Sequence, residues 1–311
     1  MLENSLDPIL HTSTLQTIEH TPSHQRLFEE RYHQKLQELC ERPQQYAVNS
    51  YARVREEEKC WPLVCALLDT IAREHASALK LAMSLVQTSC AAWSDQVRHA
   101  PQAWLERAFA GQTVLELEVV RHIDLRKRVI SLQMLENLCK QPSLSRLSIL
   151  RIDEAELSTL AGRILANHAC LDQLRELYLN HNPELGTRGV SHLLEQGRFE
   201  HLEVLSLAGC NIEDEALFKL CQNDSIRHLT YLDLHHNALT DRGVCVLALS
   251  SSLANLRHLY LYQNPQLTNR SAQALLHRRE IGLPSLLDAD LHDCSVQDSA
   301  LCDKLLAPRA R

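Results

Sequence analysis

Leucines fall in a fixed rhythm through the second half of the chain. In LRELYLNHNPEL, beginning at Leu174, they occupy the first, fourth and sixth places, and Asn182 takes the ninth. The same places are filled by Leu202, Leu205, Leu207 and Cys210, by Leu229, Leu232, Leu234 and Asn237, and by Leu256, Leu259, Leu261 and Asn264. Weaker copies flank these: Leu147, Leu150, Ile152 and Ala155 on one side, Leu286, Ala289, Leu291 and Cys294 on the other. Successive copies start 27, 28, 27, 27 and 30 residues apart, and self-similarity at such a period marks a stacked repeat architecture. Upstream, Val114, Leu117 and Val119 are expected to supply a divergent first strand, 33 residues before Leu147.

Within each copy the alternation predicts a short strand. Its leucines enter a core, while the third, fifth and seventh places face the other way. The segments that follow, TRGVSHLLEQG, EDEALFKLCQN, TDRGVCVLALS and NRSAQALLHRR, read as helices; Asp214, Ala216, Leu217 and Leu220 show polar entry and then apolar spacing of three and four. One strand and one helix cannot enclose a core, so each unit must stack on its neighbours. The ninth-place asparagine is expected to bond backbone groups of the adjacent turn, and a thiol fits the same slot as a small buried group.

These motifs resemble the leucine-rich repeat superfamily. The series Asn182, Cys210, Asn237, Asn264 and Cys294 is similar to that of its ribonuclease-inhibitor-like type. Over residues 147 to 306 the resemblance implies an α/β solenoid, a horseshoe with parallel strands on the concave side and helices outside. It also implies protein partners. Ala155 and Ala289 depart from the pattern, and the copies at Asn182 and Asn264 carry an extra residue at Pro183-Glu184 and Pro265-Gln266.

Before the repeats the pattern changes to helical spacing. Residues 1–22 show no clean period and read as a flexible arm. A helix capped by Thr21 or Ser23 is expected to carry Leu27, Tyr32, Leu36 and Leu39 and to end at Pro43. A second is expected from Gln45 to Cys60, before Pro62, and a third stretch from Pro62 onward, broken near His75. PQAWLERAFAG reads as a short helix stopped by Gly111. The chain thus divides into the arm, an all-α module or cap at 23–111, and the solenoid at 112–311. Within the module, Pro62, Leu67, Leu68, Ile71, Cys90 and Trp93 resemble an F-box, the helical motif that docks adaptors to ubiquitin ligases. The distance from Pro62 to Trp93 is long for that motif, and Ala72 stands where an aromatic is usual.

Composition narrows the function. Of 311 residues, 45% are hydrophobic and 23% charged, the balance of a soluble globular protein; only eight are glycine, too few for a glycine-rich nucleotide-binding fold. The formal charge of −7 excludes an obvious nucleic-acid surface, and no apolar run is long enough to span a bilayer. The N-terminus lacks the pattern of a secretory signal. Eleven cysteines without a Cys-x-x-Cys read as buried thiols of a reducing compartment, which predicts a cytoplasmic location.

The residues between the leucines carry the candidate chemistry. The fifth places read Arg151, Tyr178, Ser206, Asp233, Tyr260, Asp290; the seventh read Asp153, Asn180, Ala208, His235, Tyr262, His292. The third and eighth add Glu176, His181, Tyr231, His236, His258, Gln263, Asp288 and Asp293. Four of the seven tyrosines lie on this face and no lysine does. Tyrosine buries a large area at low entropic cost, and the aspartates favour a partner with a basic patch. The expected protein-binding residues are Tyr178, Asn180, Tyr231, Asp233, His235, His258, Tyr260, Tyr262, Asp290 and His292. The His and Asp cluster lacks zinc-ligand spacing, so no metal is expected. No nucleophile-elbow, zincin or phosphate-loop motif occurs, so neither catalysis nor a cofactor is expected. The reading is a non-catalytic protein-protein interaction module. The alternative is a two-ended adaptor, or a bacterial effector acting in a host cytosol, whose helical module docks to ligase machinery. The sequence leaves the oligomeric state open.

Overall fold

A computed structural model describes residues 32–46, 50–168, 172–281 and 283–306. The expected arm and the caps Thr21 and Ser23 lie outside these residues, as does Leu27. Among the described residues four helices lead: α1 Gln34–Tyr46, α2 Ser50–Glu74, α3 Leu79–Ser89 and α4 Gln102–Phe109. Seven units of strand and helix follow. They are β1 His122–Asp124 with α5 Leu132–Cys139, β2 Ile149–Arg151 with α6 Thr159–Ala166, β3 Glu176–Tyr178 with α7 Gly186–Gln196, and β4 Val204–Ser206 with α8 Asp214–Gln222. The last three are β5 Tyr231–Asp233 with α9 Asp241–Leu249, β6 His258–Tyr260 with α10 Asn269–Ile281, and β7 Asp288–Asp290 with α11 Ser299–Leu306. The strands form one parallel sheet in chain order, β1 to β7.

The register repeats without slip: Ile123, Leu150, Leu177, Leu205, Leu232, Leu259 and Ala289 stand side by side. All are buried, so the fourth place is the spine of the core. The first strand is not where Val114, Leu117 and Val119 predicted it. Residues Leu115–Val119 form a 3-10 turn. The true first copy is Val120, Ile123, Leu125 and Ile130, in phase with Leu147, Leu150, Ile152 and Leu157.

Two prolines do not end helices. Pro43 lies inside α1 and Pro62 inside α2. Proline removes one N–H but keeps a helical φ. Pro62 and Glu58 are both exposed, so the carbonyl that loses its partner is open to water. Pro43 is buried, and packing holds the final turn. The break near His75 and the stop at Gly111 (φ +79°) occur as expected.

The helical residues share one core with the repeats. Arg98, only 2% exposed, donates from its guanidinium to the carbonyls of Val119 and Cys90. His99 pairs alongside His122, and the Ala100 N–H reaches the His122 carbonyl, so this segment covers the open edge of β1. Trp61 and Trp93 are buried and bond through their indole N–H groups to the carbonyls of His99 and Cys40. Of the residues behind the F-box resemblance, Leu68, Ile71, Cys90 and Trp93 are buried in this core; Pro62 is exposed and Leu67 half-buried.

The ninth place stitches the units together. Asn182 accepts from the N–H groups of Ala155 and Leu157, both at 3.0 Å, and donates to the carbonyls of Ile152 and Leu179. Asn237 repeats this with Cys210, Ile212, Leu207 and Leu234. The Cys210 and Cys294 thiols donate to the carbonyls of Leu179 and Leu261. The loops before those cysteines carry the inserted residues and close on themselves: Leu185 N–H bonds the Asn182 carbonyl at 3.0 Å, and Leu267 N–H that of Asn264 at 3.1 Å. Before Ala155, the N–H of Ile130 takes the Ala155 backbone carbonyl. A side-chain acceptor is absent where the preceding loop does not need one.

On the outer edge, the first turn of a helix holds the next unit. The Asp241 carboxylate accepts from Thr268 N–H, Thr268 hydroxyl and Ser271 N–H. Partial burial works against its charge, but the bonds from Ser271 and Thr268 prevail and hold the carboxyl below its ordinary range. A depressed carboxyl contributes stability above its unfolded-state range that is lost as pH falls through its folded one. Asp241→Asn should therefore lower the melting temperature at neutral pH, and the gap to the parent should close in acid. Melting curves of both proteins across this range test it; a gap constant with pH would reject the charged-acceptor role.

Candidate functional site

Each strand presents its third and fifth places on one face, and the seventh and eighth places extend that face beyond the strand. The chain turns sharply at every eighth place, where Lys127, Glu154, His181, His236, Gln263 and Asp293 have φ between 53° and 59° and Gly209 has 62°. At Gly209 an added Cβ would lie 2.6 Å from Nδ1 of His181, so this unit combines a left-handed turn with a close neighbour.

Ring side chains from successive units meet because their Cα atoms are locked in register, about 4.8 Å apart. His235 stacks on Tyr262 with centroids 4.2 Å apart and planes at 10°, and Tyr262 stacks on His292 at 4.4 Å and 11°. Beside this column, Tyr231 meets Tyr260 at 5.2 Å and His258 at 6.3 Å, and Tyr260 meets Tyr262 edge-on at 6.5 Å. Each of the three histidines is oriented by an aspartate. His235 Nδ1 lies 2.7 Å from Asp233, His258 Nδ1 2.9 Å from Asp288, and His292 Nδ1 2.7 Å from Asp290. Burial first, with nearby aspartates adding, raises the phenols of Tyr231, Tyr260 and Tyr262 above their ordinary range. They stay neutral and keep their O–H donors.

The structure divides the ten expected residues. Tyr231, His235, His258, Tyr260, Tyr262, Asp290 and His292 come together on units five to seven. Tyr178 stands apart: Arg151 lies over its ring at 4.1 Å, its hydroxyl donates to Glu176 at 2.9 Å, and it is pushed up to about 12, chiefly by burial. Asn180 and Asp233 are engaged internally. The Asn180 amide oxygen accepts from the Ser206 hydroxyl and the Ala208 N–H. Asp233 is 8% exposed, with its carboxylate accepting from the His235 backbone and the Ser206 hydroxyl. Asp288, absent from those ten, belongs with the cluster through His258; its third-place position was the signal. The first unit also brings Arg126 and Lys127 onto the face, so its charge changes from mixed to acidic along its length.

Among the described residues no group of three or more His, Cys, Asp or Glu could hold a metal. No helix among them is long and apolar enough to cross a membrane. Ten free cysteines are described, six of them buried. Burial pushes the thiols of Cys221 and Cys294 up to about 11 and that of Cys210 to about 12, away from the reactive thiolate. Cys170 lies outside the described residues.

Seven strands in strict sequence order, each paired in parallel with the next and followed by a helix, define an open α/β repeat solenoid. The protein family described as "Leucine Rich repeat" matches residues 200–221 and 225–248, spanning parts of units four and five. The matched segments are leucine-rich repeats, and the register they share runs through all seven strands. Comparison with curated proteins gave no match. Among solved structures, an internalin from Listeria monocytogenes is similar at 16% identity, over 67% of this chain and 89% of its own, with a TM-score of 0.22. The Rad7 and Elc1 complex in yeast is similar at 14% identity, over 94% of this chain and 90% of the matched chain, with a TM-score of 0.40.

Proposed function

We propose that this is a non-catalytic binding module, of the ribonuclease-inhibitor-like type, that holds a protein partner through the concave face of units five to seven. The observation that carries the reading is the continuous array of Tyr231, Tyr260, Tyr262, His235, His258 and His292, with Asp288 and Asp290 beside it. Stacked rings form a rigid, amphipathic platform whose side chains lose little freedom on binding. Carboxylates beside it favour a partner that offers lysine or arginine. The free thiols fit a reducing, cytoplasmic setting.

Tyr260 is the centre of the array, touching both Tyr231 and Tyr262. Its truncation to alanine should weaken binding by about 2 kcal/mol while the melting temperature changes little. The partner is first captured with the intact protein and with a Tyr231→Ala/Tyr260→Ala/Tyr262→Ala variant. The captured protein is then titrated against Tyr260→Ala, with binding expected to weaken further as salt rises. Capture of the same proteins by parent and triple variant would reject the face as the binding site. Equal losses of binding and stability would assign Tyr260 to the fold.

A further inference from the structure

We infer that a groove at the strand-entry edge of the solenoid is a second binding site, which takes an extended acidic segment of a protein. It goes beyond the concave-face reading and uses none of the same side chains. The groove encloses about 420 Å³ and is lined by residues from two rows that precede the strands. One row, just before the first-place leucine, supplies His201, His228, Asn255 and Ser285; the other, at the second place, supplies Arg175, Glu203, Thr230 and Arg257. Because the units are in register, these side chains converge from five adjacent strands, β3 to β7.

The charge of the groove is unbalanced. Four of its lining residues are basic, and Glu203 is the one carboxylate. Glu203 lies 3.5 Å from Arg175. Among the described residues, the Arg257 guanidinium and the imidazoles of His201 and His228 make no hydrogen bond or ion pair. Arg126 and Arg128, by contrast, are paired: Arg126 lies 2.7 Å from Asp124, and Arg128 2.6 Å from Glu106. An unmatched guanidinium in a concave, polar setting is a bidentate receptor for carboxylate.

The spacing sets the form of the ligand. Arg175 and Arg257 are three strands apart, roughly 14 Å at the spacing of neighbouring strands. Acidic side chains four residues apart on an extended chain are separated by about 13 Å. A segment laid across the strand ends therefore meets both arginines at once, with His201 and His228 between them and Thr230, Asn255 and Ser285 offering neutral hydrogen bonds.

The test is fluorescence anisotropy of a labelled ten-residue oligoglutamate peptide with the full chain, beside an oligoglutamine control and inorganic phosphate as competitor. The expected result is binding of oligoglutamate alone. Arg175→Ala/Arg257→Ala should weaken it at least tenfold. Arg242→Ala on the outer helix α9 and Tyr231→Ala/Tyr260→Ala on the concave face should leave it within twofold. Both arginines are exposed, and unchanged melting of the double variant verifies its fold. Absence of oligoglutamate binding would overturn the inference. So would an equal loss with Arg242→Ala, which would reduce the effect to net charge, or binding of phosphate without binding of the peptide.

Discussion

Asn182→Ala should destabilise the protein by roughly 3–5 kcal/mol, since each buried polar group left without a partner costs about 1–3 kcal/mol. Asn182 is fully buried and serves both sides of a junction. Its amide oxygen is the acceptor for Ala155 and Leu157 N–H, and its amide nitrogen is the donor for the Ile152 and Leu179 carbonyls. Alanine strands three of them in a dry interior, leaves the Leu179 carbonyl only the weak Cys210 thiol donor, and adds a small void. The control is Cys210→Ala, which removes one weak thiol donor from the Leu179 carbonyl and should cost about 1 kcal/mol. Urea unfolding of both variants gives the comparison. Similar midpoints would mean that the ninth place fills space and does not stitch units together.

Gly162→Ala should cost roughly 3 kcal/mol by overpacking, the second large effect. A Cβ at Gly162 would stand 2.0 Å from the carbonyl oxygen of Gly189, so α6 and α7 would have to separate. Neither helix can yield freely, because each is bound to a strand locked in register with the other. Gly186→Ala separates this clash from ordinary glycine effects. Gly186 has φ +59° with open space around it, so alanine there meets only the left-handed penalty of about 1–2 kcal/mol. A larger loss at Gly186 than at Gly162 in the same urea series would refute the close-packing account.

Much of this architecture was legible because leucine spacing reports directly on register. Leu150, Leu177, Leu205, Leu232 and Leu259 are predicted as core and stand in one buried row. The first strand was obscured because Val120, Ile123 and Leu125 lack two of the expected leucines and Arg128 replaces the ninth-place asparagine. The proline errors have a different source: Pro43 and Pro62 are tolerated through packing and exposure, which local pattern does not encode. On the concave face, spacing indicates which side chains share a surface but not which are already engaged. Asn180 and Asp233 share the face with Tyr260 and Tyr262, yet their polar atoms are bonded within the sheet. The entry-edge groove escaped notice because its arginines and histidines alternate between two rows and form no motif in either.

The match between each ninth-place residue and the loop before it also gives the chain a grammar. From Asn182 onward, a loop with an insertion is followed by cysteine, and a loop without one is followed by asparagine. The repeats are therefore not interchangeable words. Loss of Leu174 to His201 alone would set Cys210 behind the loop of Ala155 and Leu157, whose two N–H groups lose a strong amide acceptor for a weak thiol one. Loss of Leu174 to His228 would instead bring Asn237 to that junction and restore agreement, although it removes twice as much. The natural unit of lengthening and shortening at this point in the solenoid is the couplet, and recombination that respects couplets leaves every junction satisfied.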